Sequence, residues 1–475
     1  MIVGVYLTGA LLISTGFYFM RTLAARKILS WLFCILQQGF AVAEYLHKDI
    51  VQLTYFKPDA LAILLLSAVS IITIPVFYHS FVYFEKHPYK PREMGIYFAA
   101  TVMLLTSISA AYLASHIGIT WVFTEITTLS AAALIYHRRN KFTLEGTWKY
   151  IFICTISITL VFIGILFVTV TVQHQGINDL FYDVLKTNAT KLNPLWLKLA
   201  FLFIFTGFTA KAGLVPMYTA GIDAKDTAPY PSAAILASVL MNVGFIGIFR
   251  FYQITAATII FGWTNNIILI SALLSVFVAT VYMLRVKNIK RIMAYSGVEH
   301  MGIVMLGIAA GGIGYYAAVL HLVLHSFAKP ALFFQFGQIY RTYKSKSVYD
   351  TGYYFKYNLT GAVVLLMAFF VITAMPPSGM FISEFLVFKS LFASGYLWVL
   401  IVVMILLTVI IWAFGKNIFR ILFVKPVSIE NRPYEPVRPI ESWSQYLLLA
   451  LVIYLGLAPP AELVELIKEA VNGLP

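Results

Sequence analysis

Apolar segments of membrane-crossing length follow one another from the second residue to about residue 460, separated by short polar stretches. Hydrocarbon offers a backbone amide no partner, so a crossing segment must bond within itself as a helix or join a closed barrel; about 20 apolar residues suffice for the helix. Fourteen such helices are predicted, near 2–20, 27–46, 59–83, 94–114, 118–136, 149–173, 197–221, 232–254, 263–284, 292–310, 314–338, 358–391, 397–422 and 442–460. The composition agrees, because 11% charged residues is less than half of the roughly 25% usual for a soluble domain. The chain reads as an all-α polytopic membrane protein forming one membrane domain. The first segment is followed by "RTLAARK" and another span without a small-residue cleavage site, so it is expected to be a retained helix.

A net charge of +14 raises the question of nucleic acid, and the placement of the charges answers it. Most of the 34 lysines and arginines follow odd-numbered helices, among them Arg21, Arg26, Lys27, Lys86, Arg138, Arg139, Lys141, Arg285, Lys287, Lys290, Arg291, Arg341, Lys344, Lys346 and Arg432. The opposite side has Lys48, Lys57, Lys186, Lys191, Lys198 and Lys468. Such asymmetry is the positive-inside pattern. It predicts a lipid-embedded protein of the inner (cytoplasmic) membrane with both termini outside, and no nucleic-acid partner.

Two helices carry prolines in their interiors. Pro216 follows Lys211 in the seventh, and Pro376-Pro377-Ser378-Gly379 precedes Glu384 in the twelfth. Proline removes a donor and clashes with the preceding turn, so both helices should be broken. Breaks at corresponding positions of two halves point to inverted repeats with an ion path at the breaks. The two are five positions apart in helix order, which fits repeats of helices 4–8 (94–254) and 9–13 (263–422), preceded by helices 1–3 (1–93) and followed by a last helix and tail (442–475). The tail "PPAELVELIKEAVNGL" reads as an amphipathic surface helix.

Charged groups inside spans are costly and are functional candidates by default. Glu125 stands alone in the fifth span and Lys211 alone in the seventh; they are a natural acid–base pair, the alternative for Glu125 being a structural acid bonded to a Ser or Thr. His321, His325 and Lys329 recur every four residues, which stacks them on one helix face as a hydrogen-bonded relay. Glu384 is either a conducting acid or a cap of the resumed helix. Glu299 and His300 are placed near the cytoplasmic start of the tenth span, with a gating or structural role as well founded as conduction. His116 and Lys389 sit near span ends, where side chains snorkel. No cofactor is expected: Cys34 and Cys154 have no Cys or His at ligand spacing, and "GGIG" at 311–314 lacks the setting of a nucleotide loop.

Five stretches, "WVFTEITTLSAAALI", "TGFTAKAGLVPMYTAGIDAKDTAPYPSAAILASVL", "KRIMAYSGVEHMGIVMLG", "HLVLHSFAKPALFF" and "MPPSGMFISEFLVF", occur in order between about residues 94 and 422. In these the chain resembles the antiporter-like subunits shared by respiratory complex I, Mrp cation/proton antiporters and group 4 membrane-bound hydrogenases. The "VEHMG" wording is similar to the membrane subunits of hydrogenase 4 and formate hydrogenlyase. The resemblance implies that Glu125 and Lys211 form a proton-pumping pair, that His321, His325 and Lys329 are the central relay, and that Glu384 is the terminal acid. It departs from the family at Asn242, where many members carry a lysine, and at "YTAGIDAK", where Tyr218 and Lys225 replace two histidines and Asp223 is kept. With Asn242, a relay through that point needs water, a neighbour or another residue; the second departure bears on cytoplasmic uptake and on the ion carried.

The resemblance implies a proton- or sodium-translocating subunit of an oxidoreductase complex, without a redox site of its own, working with other membrane and hydrophilic subunits. Two alternatives use the same residues: a gradient-driven Mrp-type antiporter subunit, and a proton-conducting partner of an inorganic-carbon uptake enzyme. A structural scaffold is the fourth reading.

Overall fold

The computed structural model describes residues 2–85, 89–177, 179–426 and 436–475. Lys86 and Arg432 of the basic loops lie outside them. In chain order the helices are α1 (Ile2–Phe19), α2 (Leu23–Leu46), α3 (Ala60–Glu85), α4 (Pro91–Leu113), α5 (Ile117–Ile135), α6 (Lys141–Gln173), α7 (Tyr182–Thr187), α8 (Pro194–Ala212), α9 (Thr219–Thr227), α10 (Tyr230–Leu236), α11 (Val239–Ala256), α12 (Phe261–Arg285), α13 (Ile289–Ala310), α14 (Ile313–Tyr343), α15 (Tyr354–Tyr357), α16 (Leu359–Ile372), α17 (Gly379–Ala393), α18 (Leu397–Phe423), α19 (Trp443–Leu457) and α20 (Ala461–Ala470). Among the described residues 13 helical segments are long and apolar enough to cross a membrane. The broken pair α16 and α17 supplies the fourteenth expected span.

Polar caps mark where several helices begin. Asn140 opens α6 in a capping box with Thr143, and Asn193, Asn288 and Asn358 accept first-turn amides of α8, α13 and α16. Each satisfies donors that have no partner within their own helix. At the other end, Gly213 terminates α8 two residues after Lys211, with φ +76° and its N–H on the Thr209 carbonyl at 2.8 Å. The seventh span was expected to run to residue 221; it ends at Ala212 because the left-handed glycine stops it before Pro216 is reached. The eighth is likewise interrupted, at Ala237–Ser238, where no proline signals it. Gly213→Ala should cost about 1 kcal/mol or more, since alanine disfavours this backbone region and its Cβ would lie 2.8 Å from Met241 Cε. A fall in the melting temperature of the purified variant checks this.

The chain forms two compact units. The first comprises Met1–Ser232, Val239–Ile267 and Leu466–Pro475. Within it α6 and α8 approach very closely: a Cβ on Gly207 would come 2.4 Å from the Ser157 carbonyl oxygen. This contact sets Lys211, one turn further along α8, against the side chains of α6. Arg26, assigned above to a loop, is a buried first-turn residue of α2, and its guanidinium donates to the carbonyls of Met20 and Pro91, each at 2.6 Å. Arg250 on α11 is tied to the Tyr112 and Ala114 carbonyls and to Asp59. The tail helix α20 buries Ile467 and Ala470, and its Glu469 pairs with Lys48 at 2.5 Å.

The second unit comprises Ala233–Ser238 and Ile268–Glu465. Here α13 and α14 form a hairpin that turns at Gly311 and Gly312, both at positive φ. α17 lies along it, with Ser390 Oγ donating to the Gly311 carbonyl and Ser394 Oγ to the Ala310 carbonyl, each at 2.6 Å. α13 and α14 are buried along most of their length, whereas α18 exposes apolar side chains such as Trp398 and Ile405. An apolar helix exposing such side chains is lipid-facing, and the unit's polar residues are gathered on the buried helices.

Candidate functional site

In the first unit Lys211 is buried at 7% exposure on α8. Its Nζ donates to Thr128 Oγ1 of α5 at 2.9 Å and to Tyr150 Oη of α6 at 3.0 Å, and it stands 5.1 Å from the centroid of the Tyr150 ring. The Cys154 thiol, one turn along α6, is in contact with both Lys211 and Tyr150. Glu125 lies one turn before Thr128 on α5, and its Oε2 is buried without a hydrogen-bond partner. No direct Glu125–Lys211 ion pair within 4.0 Å occurs among the described residues. Thr128 and Tyr150 had no part in the sequence reading, and Cys154 entered it only as a metal-ligand candidate that was set aside; the signal for them is a hydroxyl or thiol one turn from a lone charge, or on the neighbouring span.

The accessory positions of this unit are more dispersed. Asn242 on α11 is fully buried and hydrogen-bonds Tyr112. On α9, the helix that follows the break, Lys225 is buried at 2% exposure with its Nζ 3.2 Å from Met241 Sδ. Asp223 faces outward, 4.0 Å from Lys149. His116 caps α5, its ring accepting the Gly118 N–H at 3.1 Å.

In the second unit the stacked row on α14 docks against α13. Lys329 Nζ donates to Ser296 Oγ at 2.9 Å and to the Met293 carbonyl at 3.3 Å. One turn along α13, His300 places its ring 5.3 Å, centroid to centroid, from both His321 and His325, and its Nδ1 is 3.2 Å from His321 Nε2. The other ring nitrogens have polar neighbours: His321 Nδ1 meets Ser383 Oγ at 2.9 Å, and His300 Nε2 is 3.4 Å from Glu299 Oε2. Glu299 and His300 therefore do not sit at the mouth of the span. They lie ten or more residues into α13, buried within the histidine cluster.

Glu384 joins this cluster from α17. The ring nitrogens of His300 and His321 and a Glu384 carboxylate oxygen lie within 4.8 Å of one another. Ser378, not Glu384, caps α17, accepting the Phe381 N–H at 3.2 Å. Glu384 comes later, beyond the first turn, with its side chain buried. Lys389 on the same helix is exposed.

Helices interrupted in the seventh and twelfth spans, with buried Lys211 beside the first break and buried Glu384 and the histidine cluster beside the second, define an antiporter-like membrane protein. The family described as "NADH:quinone oxidoreductase/Mrp antiporter, TM" matches residues 114–410, and this chain belongs to it. Among its relatives, a hydrogenase-4 component F homolog of Methylacidiphilum infernorum is 29% identical over 309 residues, 64% of this chain and 65% of that protein. Hydrogenase-4 component B of Escherichia coli is 26% identical over 377 residues, 73% of this chain and 54% of the relative. The chain thus spans between half and two thirds of the length of these two proteins. In fold it is similar to a chain in the membrane-bound sulfane sulfur reductase, an archaeal respiratory membrane complex, with TM-score 0.86, 19% identity and coverage of 99% and 96% of the two chains.

Proposed function

We propose that this protein carries protons, or sodium ions, across the cytoplasmic membrane as an antiporter-like subunit of a redox complex of the complex I and group 4 hydrogenase type. The observation that carries the reading is Lys211, a membrane-buried lysine bonded to the neutral hydroxyls of Thr128 and Tyr150, with Glu125 one helical turn from Thr128 on α5. An acid and a base this near each other can exist as an ion pair or as two neutral groups, and the difference is one proton. A change in field from a neighbouring subunit selects between these states.

In this scheme Glu125 and Lys211 load the ion, the cluster of His321, His325, Lys329 and His300 receives it, and Glu384 releases it. Asp223 and Lys225 serve cytoplasmic uptake, Asn242 contributes a polar buried position without charge, and Glu299 orients His300. The helix breaks belong to inverted repeats of helices 4–8 and 9–13, and the basic loops face the cytoplasm with both termini outside. Redox chemistry belongs to partner subunits. The family description also names Mrp antiporters, which keeps a gradient-driven antiporter subunit as the second reading.

Gentle purification from the native membrane, with mass spectrometry of what accompanies the chain, separates these. Iron–sulfur and metal-site subunits are expected; small hydrophobic partners alone would overturn the redox-driven reading in favour of the antiporter. Thr128→Val tests the coupling itself. It keeps the side-chain shape and removes the hydroxyl to which Lys211 donates, so translocation in membrane vesicles should fall about tenfold, equivalent to the ~1–3 kcal/mol of an unmet buried hydrogen bond. Full translocation in this variant would remove Thr128 from the path.

A further inference from the structure

We propose that His300, His321 and Glu384 form a binding site for a transition-metal dication of the zinc type within the second unit. A tetrahedral zinc with nitrogen ligands at roughly 2.0–2.1 Å holds them about 3.3 Å apart. His300 Nδ1 and His321 Nε2 are already 3.2 Å apart, and a Glu384 oxygen lies within 4.8 Å of the ligand nitrogens. Two imidazoles and one carboxylate are a donor set for zinc, whereas magnesium and calcium prefer oxygen throughout.

The surroundings supply the outer contacts that such sites need. Metal-bound histidines usually present their other ring nitrogen to a carboxylate or another polar oxygen, which fixes the ring and its tautomer. Here His321 Nδ1 meets Ser383 Oγ at 2.9 Å, while His300 Nε2 makes no hydrogen bond and has Glu299 Oε2 3.4 Å away to take up that role. On binding, both facing nitrogens must offer lone pairs, so the proton they share moves to His300 Nε2, beside Glu299, while Glu384 binds as the carboxylate. The fourth position falls to water. The ligands come from α13, α14 and α17, so the metal would pin the hairpin to the helix that resumes after the second break.

Metal binding stands independently of the translocation reading; its consequence, arrest of the histidine cluster, rests on that reading. The test uses the purified full chain in detergent, stripped with chelator and equilibrated with Zn²⁺ alone. One zinc per chain is expected, with X-ray absorption showing imidazole nitrogens near 2.0–2.1 Å. His300→Ala and His321→Ala should each remove tight binding. Ser383→Ala, which leaves every ligand in place, should weaken it about tenfold. A wild-type chain that binds no zinc, or one whose zinc is held equally by the His300→Ala and Ser383→Ala variants, overturns the site. Zinc bound by a chain that moves no ions would sink the translocation reading alone, and pumping by a chain that takes up no zinc would sink the site alone.

Discussion

Lys211→Met is expected to abolish ion translocation while leaving the protein folded and assembled. Methionine is unbranched and close to lysine in length, so it fills the space between Thr128 and Tyr150 without overpacking. It removes the one cation in contact with those two hydroxyls. Replacing a buried charge by an apolar chain also spares the protein its desolvation cost, so the melting temperature should not fall. Loss of a positioned proton-transfer group ordinarily costs about 10²-fold or more. Acidification of vesicles carrying the intact complex, driven by its electron donor, is the measurement. Wild-type pumping rates from a variant that assembles normally would show that Lys211 is a structural cation and would sink the loading scheme.

Glu384→Gln is expected to have an effect of similar size, also without loss of fold. Glutamine keeps the shape of the side chain but cannot take and return a proton. Because Ser378 caps α17, the two roles considered for an acid after the break are experimentally separable. Ser378→Ala should lower stability by about 1 kcal/mol with translocation retained; Glu384→Gln should do the reverse. If Glu384→Gln pumps normally, the acid serves packing of α17 against the histidine cluster and release lies elsewhere.

Much of the site was legible because charge in an apolar span is conspicuous. Glu125, Lys211, the row His321, His325 and Lys329, and Glu384 are found by hydropathy alone, and the row's spacing correctly put three side chains on one face. What was not legible is whom each one meets. Lys211 and Glu125 were read as a natural acid–base pair, and the hydrogen-bond partners of Lys211 are the hydroxyls of Thr128 and Tyr150. The three stacked residues were read as a relay among themselves, yet Lys329 bonds to Ser296 while His321 is joined to His300 and Ser383. Glu299 and His300 were placed toward the cytoplasmic end from neighbouring loop charges, and they are core residues of the cluster.

The sequence by itself determined the number and order of the spans, the interruption of the seventh and twelfth, and the identity of the charged residues. Each of these follows from the cost of placing a given group, or a proline, in hydrocarbon, and that cost is paid residue by residue along one helix. Tertiary packing settles that Lys211 meets Thr128 and Tyr150 and that α13 supplies a third histidine. These depend on how far neighbouring helices are rotated and how closely they approach. In a membrane bundle apolar residues cover every face of most spans, so no amphipathic stripe records that rotation. It is fixed by close backbone contacts such as Gly207 against Ser157, which exist only once two helices distant in sequence are packed together.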